Sequence, residues 1–129
     1  MITIRMVGAT EMDQAKDFIR SIFPEAMVQI TDDDTVFIAE IEGRPVGFAH
    51  IIDDGEAFML QGIGVDKSVR GQGVGTILLE HVLGGLRDTD RPIYLKVKVM
   101  NPAIDLYQRY GFMLKKFGDV HVLVKKANN

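Results

Sequence analysis

Apolar and polar residues alternate over residues 2–6, which is the two-residue period of a strand. The pattern then changes. In EMDQAKDFIRSIF the apolar Met12, Ala15, Phe18, Ile19 and Ile22 recur at helical spacing. Thr10 stands where an N-cap belongs, and Pro24 where a helix must stop. Residues 25–34 hold no clear period and read as a short helix and a loop. Strand patterns return at 35–41 and 45–52 around the turn EGRP, and DDGE leads into a third strand at 57–65.

A second helical pattern begins at Val74, with Val74, Ile77, Leu78, Val82 and Leu86 as its inner face and Thr76, Glu80 and Arg87 outward. Gly84 and Gly85 weaken its last turn. Pro92 leads into a strand over 93–99. The stretch NPAIDLYQRYGF then predicts a short helix: Asn101 as N-cap, Pro102 at the first helical position, and Ala103, Leu106, Tyr107 and Tyr110 along one side. Gly111 is placed to end it in a left-handed cap. Residues 112–117 and 120–125 form a closing hairpin around Gly118 and Asp119. The order β-α-β-β-β-α-β-α-β-β describes an α/β (α+β) chain, a mixed sheet with helices on its faces.

Composition narrows what such a chain can do. Its 129 residues, 47% of them hydrophobic, are enough for one domain over residues 1–129 with a real core. No apolar run approaches the ~20 residues that cross a bilayer, and the first residues lack the apolar segment of a signal peptide. With no cysteine, disulfides, thiolate metal sites and a Cys nucleophile are excluded, which suits a cytoplasmic location. The net charge is -3 and the basic residues are scattered, so neither nucleic acid nor a membrane is the expected partner. Asp32, Asp33 and Asp34 cluster, as do Asp53, Asp54 and Glu56; these are either solvated turns or a negative rim that attracts a cationic amine. His50, His81 and His121 lack metal-ligand spacing and read as structural or exposed, so no metal is expected. The only serines, Ser21 and Ser68, have no histidine near them in sequence, which argues against a covalent acyl-enzyme.

Arg70-Gly71-Gln72-Gly73-Val74-Gly75-Thr76 joins the third strand of that run to the second helix. A tight loop at a helix N-terminus presents free backbone N–H groups and the positive end of the helix dipole, which suits an anion such as a pyrophosphate. Glycines let the backbone approach the ligand, and Arg70 adds a fixed charge. A flexible packing turn is the plainer alternative. The Walker loop is excluded, because Gly75 is followed by Thr76-Ile77 and not Lys-Ser/Thr. The dinucleotide fingerprint fails too, because its third glycine comes one residue early.

The loop does fit Q/R-x-x-G-x-G/A and resembles the acyl-CoA-binding segment of the GNAT superfamily of N-acyltransferases. The next helix resembles that family's second motif through Asn101, Pro102-Ala103, Tyr107, Gly111 and Phe112. The resemblance is close over residues 57–112. It implies a mostly antiparallel central sheet of about seven strands, helices on both faces, and a V-shaped splay between the strands that flank the loop helix. It also implies acetyl-CoA as cosubstrate, bound by Ile63, Gly64 and Val65 along the pantetheine arm. Arg70, Gly71, Gln72, Gly73, Val74, Gly75 and Thr76 would hold the pyrophosphate, and Asn101 would steady the arm.

In the same resemblance Tyr107 returns a proton to the leaving sulfur, and the Val65 N–H, at a bulge, meets the oxyanion. Many relatives carry a glutamate on the strand before the loop; here Gln61 holds that place and cannot take a proton. Glu56, acting through water, is the weak candidate for a general base, and a water chain with no dedicated base is equally open. The implied activity is transfer of an acetyl group to a primary amine by direct attack. Alternatives are a non-catalytic acyl-CoA-binding module of the same fold, or an enzyme that uses a longer acyl group. A homodimer is possible, since relatives often dimerise.

Overall fold

The computed structural model describes residues 1–24, 29–31, 33–98, 101 and 103–127. Its elements run β1 (Ile2–Met6), α1 (Met12–Ile22), β2 (Thr35–Ile41), β3 (Arg44–Asp53), β4 (Phe58–Val65), α2 (Val74–Gly85), β5 (Ile93–Lys98), α3 (Ala103–Arg109), β6 (Met113–Lys116) and β7 (Val120–Lys125). The strands form one sheet in the order β1-β2-β3-β4-β5-β7-β6. Every neighbouring pair is antiparallel except β4·β5. Glu42 and Gly43, both at positive φ, make the tight turn between β2 and β3 that EGRP predicts. The expected short helix within 25–34, and the expected roles of Val99 and Pro102, fall wholly or partly outside the described residues.

Two apolar layers sandwich the sheet. On one face Ala15 and Ile19 of α1 pack on Val36, Ile38 and Phe48. On the other, Val74, Leu78, Leu79 and Val82 of α2 pack on Ala49, Ile51, Leu60 and Leu95, and α3 joins them through Leu106, Tyr107 and Tyr110. Gly47 of β3 lets α2 settle close, because a Cβ there would stand 3.0 Å from Leu78 and 3.1 Å from Val74. No helix among the described residues is long and apolar enough to cross a membrane.

Three details differ from the sequence pattern. Thr10 is not the cap of α1: it lies inside a 3-10 turn, Ala9–Glu11, and Glu11 holds the cap position without a side-chain bond. Glu11 is drawn instead to Arg5, 2.7 Å away. In α2 the buried stripe steps through Val74, Leu78 and Val82 with Leu79 beside it, which leaves Ile77 exposed. Asp34, expected in a solvated acidic turn, has a buried side chain 2.8 Å from Nε2 of the buried His50.

Candidate active site

β4 and β5 are paired over three positions only, Phe58·Ile93, Met59·Tyr94 and Leu60·Leu95. Beyond them β4 stays with β3 and β5 stays with β7, so the two strands part. The divergence begins at a bulge. Leu60 faces Ile51 and Gly62 faces His50, which leaves Gln61 as an extra residue that bends and twists β4. The V-shaped slot that opens is a cleft of about 670 Å³. Leu60 to Ile63 line one wall; Leu95, Lys96, Val97, Asn101 and Tyr107 line the other, and Ile22, Phe23 and Pro24 close one side.

The register beyond the bulge decides which backbone groups face this slot. Asp66 N–H donates to the Val46 carbonyl, 2.8 Å, and Val65 stands opposite Gly47. Antiparallel pairs alternate between bonded and non-bonded, so Gly64 and Gly62 turn their N–H and C=O toward β3. Ile63 and Val65 therefore turn theirs toward the cleft, where β5 no longer pairs with them. Gly64 accordingly turns its own N–H and C=O away from the cleft, and its lack of a side chain serves packing. A Cβ there would lie 2.5 Å from the Phe48 ring, 2.9 Å from Phe23 and 3.0 Å from Ile22. Its absence seats the Phe23–Phe48 edge-to-face pair, centroids 5.9 Å apart, against β4. Val65 lies at the mouth of the cleft and not at the bulge, which is four residues, about 13 Å of strand, further in. Ile63 presents its N–H in the same direction and nearer the closed end.

The glycine loop follows β4 through a short turn that Asp66 caps by accepting from the Ser68 N–H, 2.9 Å. Gly71 at φ 81° and Gly73 at φ 84° are left-handed, a region that side chains resist, and a Cβ at either would meet nothing within 4 Å. The glycines thus shape the chain while keeping the space before the helix clear. The first α2 bond runs from Ile77 N–H to the Gly73 carbonyl, 3.0 Å, so Val74, Gly75 and Thr76 have no helical acceptor for their N–H groups. Gln72 differs from expectation, because its N–H is used on the Val69 carbonyl at 3.3 Å. Arg70 is exposed at the rim, and its Nε donates to the Val65 carbonyl, 3.3 Å.

α3 supplies the opposite wall. Asn101 Oδ1 accepts from the Ala103 N–H at 2.9 Å, so Asn101 is a helix cap while also lining the cleft. Tyr107 sets its ring edge-on to Phe112, centroids 5.9 Å apart, and its carbonyl accepts from Phe112 N–H as Gly111, at φ 95°, reverses the chain. Burial pushes the Tyr107 hydroxyl above its ordinary pKa. Tyr110 packs toward the core and is not among the residues lining the cleft.

Neither acidic cluster lines this cleft within the described residues. Glu56 is exposed in the β3–β4 turn, where its N–H donates to Asp54, 2.9 Å; this is the closed end of the strand pair, so the structure does not bring Glu56 to the slot. Asp53 is bound to Arg91 at 2.6 Å. Among the described residues neither cluster forms a negative rim on this cleft, and Asp32 lies outside them. Lys96 is the charged side chain on the cleft wall among the described residues, and the sequence does not single it out. Its alternation with Leu95 and Val97 marks it as facing off the core, but where β5 leaves β4 is not legible from one strand. His81 sits against Phe37 and His121 against Phe117, and no group of potential metal ligands forms among the described residues.

The geometry fits an acyl-CoA: open space beside Gly71 and Gly73, N–H groups without helical acceptors at the start of α2, and an unpaired strand edge toward the cleft that Tyr107 lines. Comparisons with known proteins agree. The family model described as an acetyltransferase (GNAT) domain matches residues 32–114. The chain is 35% identical over 94 residues to an uncharacterized N-acetyltransferase of Methanocaldococcus jannaschii, a match covering 66% of this chain and 42% of that protein. It is 30% identical over 131 residues to an N-alpha-acetyltransferase of Sulfolobus acidocaldarius, covering 84% and 78%. The chain thus spans under half the length of the first of these relatives. Among solved structures, its fold is similar to the ribosomal-protein-S18-alanine N-acetyltransferase of Escherichia coli, with TM-score 0.84, 21% identity and coverage of 100% and 96%. It is also similar to the PaiA N-acetyltransferase of Thermoplasma acidophilum in complex with coenzyme A, with TM-score 0.76, 12% identity and coverage of 98% and 99%.

Proposed function

The chain belongs to the GNAT acetyltransferase family, and we propose that it moves the acetyl group of acetyl-CoA to a primary amine by direct attack within a ternary complex. The observation that carries this reading is the unpaired edge of β4. Ile63 and Val65 offer main-chain groups on the stretch of β4 that leads from the cleft walled by Tyr107 toward the glycine loop and α2. The bound cosubstrate supplies a thioester, an acyl group already activated toward amines.

The chain's own residues bind, orient and move protons. Backbone N–H groups of Val74, Gly75 and Thr76 hold the pyrophosphate, with Arg70 at its edge. The cleft-facing groups of Ile63 and Val65 pair with the pantetheine amides as a further strand would, and Asn101 steadies the arm with its amide nitrogen. The oxyanion donor is a β4 N–H aimed into the slot. Val65 has the orientation, and Ile63 has the same orientation nearer the closed end, where the thioester would lie. Tyr107, kept protonated by its burial, returns a proton to the leaving sulfur. The amine's own proton leaves through water, because Gln61 cannot accept one and no carboxylate among the described residues lines the cleft.

That missing base favours a second reading, a non-catalytic acyl-CoA-binding module. One experiment separates the two. Purified protein is given acetyl-CoA and a panel of primary amines, including peptide N-termini, and free thiol is recorded over time. Amine-dependent thiol release supports the enzyme. Tight acetyl-CoA binding without release supports the module, and failure to bind overturns both.

A further inference from the structure

Ile93, Leu95 and Val97 of β5 are buried against the α2–α3 side of the sheet, so the strand's alternation turns Tyr94 and Lys96 to the opposite face. That is the α1 face, from which Phe23 and Pro24 wall the cleft. Lys96 stands directly opposite Val122, and Val122 opposite Lys116, so the two lysines share that face across three strands. Beside them Lys115 Nζ donates to the Tyr94 hydroxyl, 3.1 Å. None of these lysines has a carboxylate partner among the described residues.

Resting on the acetyltransfer reading, we propose that Lys96 is a specificity-determining residue and that the acceptor is a primary amine carrying a carboxylate close to it. The phosphates of the cosubstrate do not account for this charge. They belong at the glycine loop beyond the mouth, whereas Lys96 follows Leu95, the last residue paired at the closed end of the slot. An ammonium with no carboxylate partner among the described residues, beside the acyl end, attracts an anion there and repels a polyamine or a lysine-rich peptide. A carboxylate held by Lys96 would fix the acceptor's orientation, and orientation is what direct attack requires. The same cation disfavours the ammonium form of a nearby amine, which eases the absence of a base. The carboxylate can be the main-chain group of a free amino acid or an acidic side chain near a peptide N-terminus.

The test measures kcat/KM with matched acceptors: free amino acids against their amides, and peptides with an acidic second residue against the same peptides with its amide counterpart. Wild type should prefer the carboxylate member of at least one pair by about tenfold. The pair that shows the preference identifies the source of the carboxylate. The ratio should fall toward one in Lys96→Ala, return in Lys96→Arg and invert in Lys96→Glu. Acetylation of both members at equal kcat/KM, or a ratio unmoved by Lys96→Glu, overturns the role of Lys96 and leaves acetyl transfer standing. No acetylation of any amine overturns the enzyme reading and this inference with it.

Discussion

Arg70 Nε donates to the Val65 carbonyl at the end of β4, 3.3 Å away. A side chain proposed for the pyrophosphate thus occupies a backbone group proposed for the pantetheine arm. Binding must exchange this bond for two others, so removing Arg70 loses a rim charge and frees an acceptor. Exposed charges contribute about 0.2–1 kcal/mol. Arg70→Ala should therefore weaken acetyl-CoA by less than about fivefold in titration calorimetry, with a shallower dependence on salt.

Gly73 should matter more. Its φ of 84° strains any side chain, and a Cβ would project into the space left before the free N–H groups of α2. A left-handed residue costs about 1–2 kcal/mol outside glycine. Gly73→Val should lower acetyl-CoA affinity more than tenfold in the same titration, while the circular dichroism of the free protein keeps its helix and sheet signal. Unchanged affinity would remove the phosphate cradle.

Tyr107→Phe keeps the ring that meets Phe112 and removes only the hydroxyl. Loss of a general acid costs about 100-fold or more in turnover, so kcat should fall by that order while the acetyl-CoA affinity stays within twofold. Burial raises the hydroxyl's pKa, so its proton is retained below the ordinary tyrosine range. The wild-type rate should show no loss from this group until pH exceeds about 10. A turnover unaffected by the substitution would exclude the acid role.

Asp34 and His50 fasten the approach to β2 onto the sheet. Burial opposes the Asp34 charge, but hydrogen bonds from His50 and from the Thr31 N–H and hydroxyl outweigh it and hold the carboxyl below the ordinary carboxylate range. A depressed folded-state pKa gives stability that is present above the unfolded value and lost as pH falls through the folded one. Asp34→Asn should cost about 2 kcal/mol at pH 7 in urea denaturation. The gap to wild type should close as the pH drops below the ordinary carboxylate range.

Much of this fold is legible from periodicity because its strands and helices keep one period from end to end. β2 is bounded as its alternation predicts, and Gly111 ends α3 in the left-handed turn its position implies. The failures have physical causes. Thr10 loses the cap because the chain enters α1 through a tighter turn, and Asp34 is buried because a histidine from another strand meets it. Gly64 looks like a ligand contact in a motif, but its need for no side chain comes from Phe48 and Phe23, which are distant in sequence. Local pattern marks the glycine loop and Tyr107 as candidates. The bulge at Gln61, the facing of Ile63 and the approach of Lys96 depend on strand register, which no single segment encodes.

Amide hydrogen exchange read by NMR, with and without acetyl-CoA, tests the claim that the β4 edge and the α2 N-terminus hold the cosubstrate. The register gives a residue-level signature. Ile63, Val65, Val74, Gly75 and Thr76 should gain protection on binding, while Gly62 and Gly64, already turned toward β3, should change little. Protection that spares Ile63 and Val65, or that falls equally on all residues of β4, would contradict the account.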